Sequence, residues 1–414
     1  MNHNSMGKVK ITGIDWMISY IGWRSRNFPL QKNNFSVAVD VPASFCFEKL
    51  CSHVASLKEL KTFLSGSVKR LLPCWEPFWY WQKNGGEGII CEKNISGTEL
   101  EITNMLPRGT ALKIVYFEKA GVILFTFCHA VFDGVGAEIF ISQLLQQGVA
   151  DRIPFRELPV DIPAMKKSGR ELQKVMKQFP EKEILRLPGG GSRGKNVFDT
   201  IRLTPGEYRQ LLENVECKYG PFSFSIFIFA LILCNLEEHL FSGIPDKKYI
   251  FVPMSVDLRP SQKEADKTFF NHWSLMPLAV SRSIIQEGME AAVPHLKRLY
   301  AEALSARLPQ LFFQAAEAMK YIPYRAIDLL TRLQPGKTLG TFMFSFLNSG
   351  NSRSGEIINF SHYPQMPTGS SLGIFVNLCN DNLNIIISRR PWKGDECFGN
   401  FLQGVKMQLL EEVK

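Results

Sequence analysis

Nine cysteines are present, but no CxxC pair is among them and their spacings are irregular, so neither a disulfide framework nor a zinc ribbon is indicated. Free thiols in a reducing, cytoplasmic setting are the simpler expectation. Cys46, Cys51 and His53 lie close in sequence, yet on one helix they would point to different faces, and no metal site is expected. No apolar run is long enough to span a bilayer; the longest, 222–234, is broken by Ser223 and Ser225 and reads as a core helix. Near the N-terminus Asp15 interrupts the apolar stretch and Arg24 and Arg26 follow, which speaks against a secretory signal. Zinc-finger, RNP-type and other nucleic-acid motifs are missing, and the basic residues are scattered. The formal charge of +9 therefore favours anionic partners in general, with nucleic acid the least expected of them.

What is there is an ordinary globular composition, 45% hydrophobic and 21% charged, over 414 residues, a length suited to two or three domains. Residues 8–16 read as a strand or arm. Strands are expected at 33–41, 196–203, 249–256, 269–280, 341–347, 357–361, 372–379 and 382–389, the last two paired through Asn380-Asp381. Three more, near 98–105, 110–118 and 121–128, read as a meander. Helical periodicity marks 42–64, 135–147, 164–178, 204–215, 223–240, a tract over 283–333 broken at Pro309 and Pro323, and a terminal helix from about Glu396. Thr204 is placed to cap its helix, with Pro205 at the first helical position. The basic, aromatic stretch 69–88, KRLLPCWEPFWYWQKNGGEG, reads as a strand or loop that buries Trp75, Phe78, Trp79 and Trp81. A substrate-tunnel wall or a membrane-touching edge is the other reading. Prolines and glycines crowd 148–196, so the expected division is a unit at 1–155, a crossover at 156–196 and a second unit at 197–414. Strands and helices mix in both halves, which defines an α/β or α+β class.

The stretch that organises the chain is 121–148, GVILFTFCHAVFDGVGAEIFISQLLQQG. An apolar run ends at His129, Asp133 and Gly134 follow, and an amphipathic pattern begins: strand, tight loop, helix. A histidine at a strand end is placed to reach a crevice, and its near-neutral pKa suits proton transfer. Two other motifs lack their context. GGGSRGKN at 189–196 has P-loop spacing, but Asn196 stands where the magnesium hydroxyl belongs and a strand follows. Gly369-Ser370-Ser371-Leu372-Gly373 spells GxSxG, but it leads into a hairpin rather than a helix.

Cys-His-Ala-Val-Phe-Asp-Gly at 128–134 resembles the HxxxDG motif of the superfamily that contains chloramphenicol acetyltransferase, nonribosomal peptide condensation domains, plant BAHD acyltransferases and the wax ester synthase/diacylglycerol acyltransferases. Lys218-Tyr219-Gly220, Val256-Asp257-Leu258-Arg259 and Phe270-Asn271 fall where further motifs of that superfamily lie. Cys128 stands where many members carry a first histidine, Phe270 replaces a glycine, and the plant DFGWG motif is missing.

The resemblance implies two chloramphenicol-acetyltransferase-like subdomains in a V, with a tunnel between them and His129 midway as general base. The donor would be an acyl thioester of coenzyme A or of a phosphopantetheine carrier protein, used as co-substrate with no tightly bound cofactor. The acceptor would be a hydroxyl or amine, an ester being favoured, and the 31 Phe suggest an apolar acceptor or chain. Asp133 would pair with Arg259 and, with Gly134, shape the loop rather than act on the ring. Oxyanion or substrate contacts fall to Ser345, Asn348 and Ser349 in the segment 344–350, and to Trp273 through its indole N–H. A monomer is implied, with no transmembrane segment and with peripheral membrane contact left open. The rival readings are a free-standing condensation enzyme making an amide, a non-catalytic scaffold of the same fold, and a hydrolase.

Overall fold

The computed structural model describes residues 6–24, 33–72, 75–82, 87–95, 102, 105–149, 151, 162–177, 183–187, 196–244, 247–259, 271–333, 340–350, 357–366, 370–390 and 395–413. The GGGSR tract, Phe270 and Gly369 lie outside them.

Two large sheets carry the molecule. The first contains β2 (Asn34–Asp40), β5 (Ile89–Asn94), β6 (Leu112–Phe117), β7 (Val122–Cys128) and β12 (Asn359–Pro364), in the order β12-β2-β7-β6-β5. The second contains β8 (Val197–Leu203), β9 (Tyr249–Asp257), β10 (Trp273–Ser281), β11 (Met343–Gly350), β13 (Leu372–Cys379) and β14 (Asn382–Arg389), in the order β10-β9-β11-β13-β14-β8. Both mix parallel and antiparallel pairs. A small antiparallel sheet of β1 (Met6–Lys10), β3 (Ser67–Lys69) and β4 (Phe78–Gln82) packs on the first core. The fold is α/β, as the mixed pattern predicts.

Local chemistry accounts for most boundaries. Thr204 and Glu207 form a capping box at the helix Pro205–Tyr219, with Pro205 at its first position. Asn380 and Asp381 both take positive φ, 49° and 61°, the left-handed geometry a two-residue hairpin needs. Helix Phe224–Leu236 and the turn Glu237–Phe241 are apolar enough over 18 residues to cross a membrane by length and composition. They are instead the centre of the second core, with Phe227, Ile228, Leu233 and Phe241 all at 0% exposure.

Three expectations are corrected, and a fourth falls largely on residues outside the described set. The strand over 8–16 stops at Lys10, and a helix, Gly13–Arg24, takes over because Thr12 and Asp15 cap it reciprocally. The helix over 42–64 is two, Phe47–Ser56 and Lys58–Leu64, hinged at Leu57, whose ψ of 63° leaves the helical region. Among the described residues β5 runs parallel to β6, and β6 and β7 form a hairpin; most of the strand expected at 98–105 lies outside the described residues. Trp75 is 55% exposed, whereas Trp79 and Trp81, which β4 alternation turns inward, are buried. Ser370 and Ser371 lead into β13 and then β14, as the hairpin reading of that segment requires.

The two halves share structure. β12, from the C-terminal half, pairs antiparallel with β2 and completes the first sheet. A small core of Ala38, Leu124, Tyr363, Phe375 and Ile386 joins the two sheets. Helices Gly13–Arg24 and Leu308–Met319 meet so closely that a Cβ on Gly13 would fall 2.0 Å from the Ala316 carbonyl oxygen. Only glycine fits there.

Candidate active site

β7 delivers His129 to a cavity of about 870 Å³ walled by both halves. The turn behind it is held by Val131 and Phe132, whose N–H groups both donate to the Cys128 carbonyl. Phe132, fully buried against Phe127 and Phe140, fixes the turn to the core.

His129 is half-buried and packs edge-on to Phe35, with ring centroids 5.2 Å apart, and near-parallel to Trp273 at 6.1 Å. Its Nδ1 lies 2.9 Å from the Phe132 carbonyl oxygen. A carbonyl only accepts, so in the neutral ring Nδ1 carries the proton and Nε2 keeps its lone pair. Loss of water around the ring pushes the His129 pKa below its ordinary value, while the Asp133 charge pulls it back up in part. Burial also pushes the neighbouring Cys128 thiol up, which keeps it from competing as a nucleophile.

Asp133 does not orient the imidazole. Its two oxygens accept from the Arg259 guanidinium at 2.9 and 3.0 Å, from Gly136 N at 2.6 Å and from His272 N at 2.6 Å. It thereby caps the helix Gly134–Leu145 and ties the loop to the second half. Arg259 also donates to Asp257 at 2.7 Å, and its side chain is only 2% exposed. Burial raises the Asp257 pKa, with the Asp133 charge adding to the effect and Arg259 opposing it. Gly134 opens the helix toward the cavity, where a Cβ would touch Leu347 at 3.1 Å.

Of the other residues singled out from sequence, Ser345, Asn348 and Trp273 line the same cavity. The Trp273 indole nitrogen is buried and has no hydrogen-bond partner among the described residues. The Ser349 side chain lies outside them. Two further groups complete the site, Asn271 of the motif pair Phe270-Asn271, whose contacts the sequence does not specify, and a pair that sequence reasoning misses. Asn271, fully buried, donates to the His129 carbonyl at 2.8 Å and to Asp15 at 2.9 Å, bracing the His129 turn from the second half. His362 on β12 and Glu138, both buried and cavity-lining, meet at 2.7 Å. Their only sequence signal is a histidine inside the alternating segment NFSHYP, 224 residues from its partner. Among the described residues no cluster suited to a metal ion occurs.

This arrangement has the fold of the chloramphenicol-acetyltransferase-like acyltransferases and condensation domains. Among solved structures, the trichothecene 15-O-acetyltransferase of Fusarium sporotrichioides superposes with a TM-score of 0.70 at 13% identity, over 99% of this chain and 95% of that one. The first condensation domain of the calcium-dependent antibiotic synthetase, in complex with a substrate analogue, gives 0.65 at 14% identity over 98% and 97%. The starter condensation domain of rhizomide synthetase, in complex with C8-CoA and Leu-SNAC, gives 0.63 at 10% identity over 98% and 95%. No protein-family model and no curated protein matches the sequence.

Proposed function

We propose that this protein is an acyltransferase that moves an acyl group from a coenzyme A or carrier-protein thioester to a hydroxyl or amine acceptor. The observation that carries this reading is His129: a cavity-lining imidazole whose Nδ1–H is held by Phe132 O, so that Nε2 keeps the lone pair in the neutral ring. Nε2 takes the acceptor's proton as its oxygen or nitrogen attacks the thioester carbonyl. The tetrahedral intermediate then collapses, the C–S bond breaks, and the imidazolium returns the proton to the leaving thiolate. Charge on the intermediate's oxygen calls for donors, and the unpartnered Trp273 indole N–H and the Ser345 hydroxyl are the candidates. Asp133, Gly134 and Arg259 hold the loop. Asn348 lines the cavity as a substrate contact.

An ester product is favoured because one structural neighbour is an O-acetyltransferase, and a coenzyme A donor is supported by another that is seen with C8-CoA. The cavity wall, with Ile14, Ile18, Val135, Ile139, Phe346 and Phe375, suits an apolar chain. The likeness to condensation domains supports the second reading, amide formation between carrier-bound substrates. An open cavity containing His129 speaks against a non-catalytic scaffold.

The test is thiol release and mass spectrometry of products with a panel of acyl-CoA thioesters and alcohols. His129→Ala lowers turnover by roughly 10²–10⁴-fold. Unchanged turnover in that variant refutes the base. Turnover with carrier-bound acyl groups alone selects the amide reading, and release without an acceptor selects a hydrolase.

A further inference from the structure

The loop between β3 and β4 has its polarity turned inside out. Its charged residues face the protein. The Arg70 guanidinium stacks 4.0 Å over Trp16 and donates to the Lys320 carbonyl. Glu76 accepts from Lys320, 1% exposed, at 2.8 Å and pairs with Lys10 at 3.3 Å. Three large apolar residues of the loop face solvent instead: Leu71 is 69% exposed, Leu72 51% and Trp75 55%. A loop that only had to be soluble would place these groups the other way round, so three large apolar side chains side by side mark an interaction surface.

The adjoining sheet face continues the pattern. Strand register places Lys8, Tyr80 and Ser67 in one row and Lys10, Phe78 and Lys69 in the next. Because Val9, Trp79 and Val68 alternate with them toward the core, these rows form the outer face. Lys8 and Lys69 are exposed and form no ion pair among the described residues. Basic side chains beside half-exposed aromatics, bordered by Leu, Leu and Trp, match a membrane interface in charge and polarity: lysines for anionic headgroups, a tryptophan for the boundary, leucines for the acyl region.

We infer that this face, Lys8, Lys69, Phe78 and Tyr80 with Leu71, Leu72 and Trp75, docks the protein on an anionic lipid bilayer. Its position gives docking a use. Trp16, which the loop grips through Arg70, sits on the helix Gly13–Arg24, and Ile14, Met17, Ile18 and Ile21 of that helix line the cavity. On the acyltransferase reading, an apolar substrate dissolved in the bilayer would meet the protein beside that wall.

Flotation with phosphatidylcholine vesicles, with and without phosphatidylserine and at low and high salt, tests the docking without any assay of acyl transfer. The wild-type protein floats with the anionic vesicles, and high salt weakens it. Lys8→Ala/Lys69→Ala lowers partitioning roughly 30-fold, about fivefold for each lysine. Leu71→Ser/Leu72→Ser lowers it at least about 10-fold at unchanged thermal stability. Brominated lipids quench the wild-type tryptophan emission more than that of Trp75→Phe. No flotation of the wild-type protein, flotation that these substitutions leave intact, or self-association abolished by the leucine substitutions without vesicle binding would each overturn the inference. Because the readout is binding, a protein that docks but transfers no acyl group fails the enzyme reading alone.

Discussion

Arg259→Ala is expected to destabilise the protein by about 3 kcal/mol, a figure that follows from what the guanidinium leaves behind. Asp133 is buried and takes four short hydrogen bonds, two of them from Arg259. Breaking a buried pair by removing one partner costs about 3–5 kcal/mol, because the remaining charge stays in a poor solvent. The amides of Gly136 and His272 still hold the carboxylate, which puts the loss near the lower end. Asp257 also loses its partner, but it is partly exposed and adds little. For a cooperative unit of about 150–250 residues, such a loss lowers Tm by roughly 6–12 °C. The assay is thermal and urea unfolding of the wild type, Arg259→Ala, Asp133→Asn and the double variant. A coupling energy of at least about 1.5 kcal/mol is expected in the cycle, since the two side chains share two bonds. Additive effects, or an Arg259→Ala protein within about 0.5 kcal/mol of wild type, would refute the bridge as a structural tie.

Three other expectations follow from the site. The acid limb of kcat/KM falls with an apparent pKa below the ordinary histidine value of 6.5, because burial disfavours the charged ring; a limb at or above that value would contradict the desolvated base. The sign carries to folding: the unfolded chain binds the proton first, so the His129 contribution is intact above about pH 6.5 and is lost as pH falls toward the lowered folded pKa. Trp273→Phe keeps the ring beside His129 but removes the N–H, and kcat drops roughly 10²-fold if the indole holds the oxyanion; a change confined to KM assigns it to ground-state binding. His362→Ala removes the imidazole from Glu138 in the cavity wall and costs up to about 3 kcal/mol, with Glu138→Gln/His362→Gln recovering part of it; urea midpoints decide, and an unaffected single variant would mean that the carboxylate does not depend on the imidazole.

The legible parts of the fold were those decided locally. The capping box at Thr204, the Asn380-Asp381 turn and the ordered strand, HxxxDG and helix need no distant partner, and all stand where periodicity and turn chemistry put them. Asp133 and Arg259 were paired only through resemblance, since 126 residues separate them. The Glu138–His362 pair had no such help, because it depends on β12 crossing back to β2. Trp75 was misplaced for a related reason. Aromatics are usually core, but it lies outside the β4 register that carries Trp79 and Trp81 inward, and its charged neighbours are drawn to Trp16 and Lys320 by contacts invisible in the local sequence.

The surroundings of His129, the proposed base, are built by both halves, and that constrains how the site would work. Its tautomer is set within its own turn by Phe132 O, so the first half alone supplies a ring whose Nε2 keeps its lone pair. Its position is set from outside: Asn271 holds the His129 carbonyl, and Asp133, at the end of the same turn, is held by Arg259 and His272 N. A general base must stand within hydrogen-bond reach of the proton it takes, so a small shift of the turn removes catalysis without unfolding either sheet. On the acyltransferase reading, substitutions at Asn271 or Arg259 would therefore act on turnover through the seating of the two halves rather than through contact with substrate. On the acyltransferase reading the HxxxDG stretch accordingly carries two separable functions, a histidine that would meet the acceptor and an aspartate that ties the loop to Arg259, joined by three residues of chain.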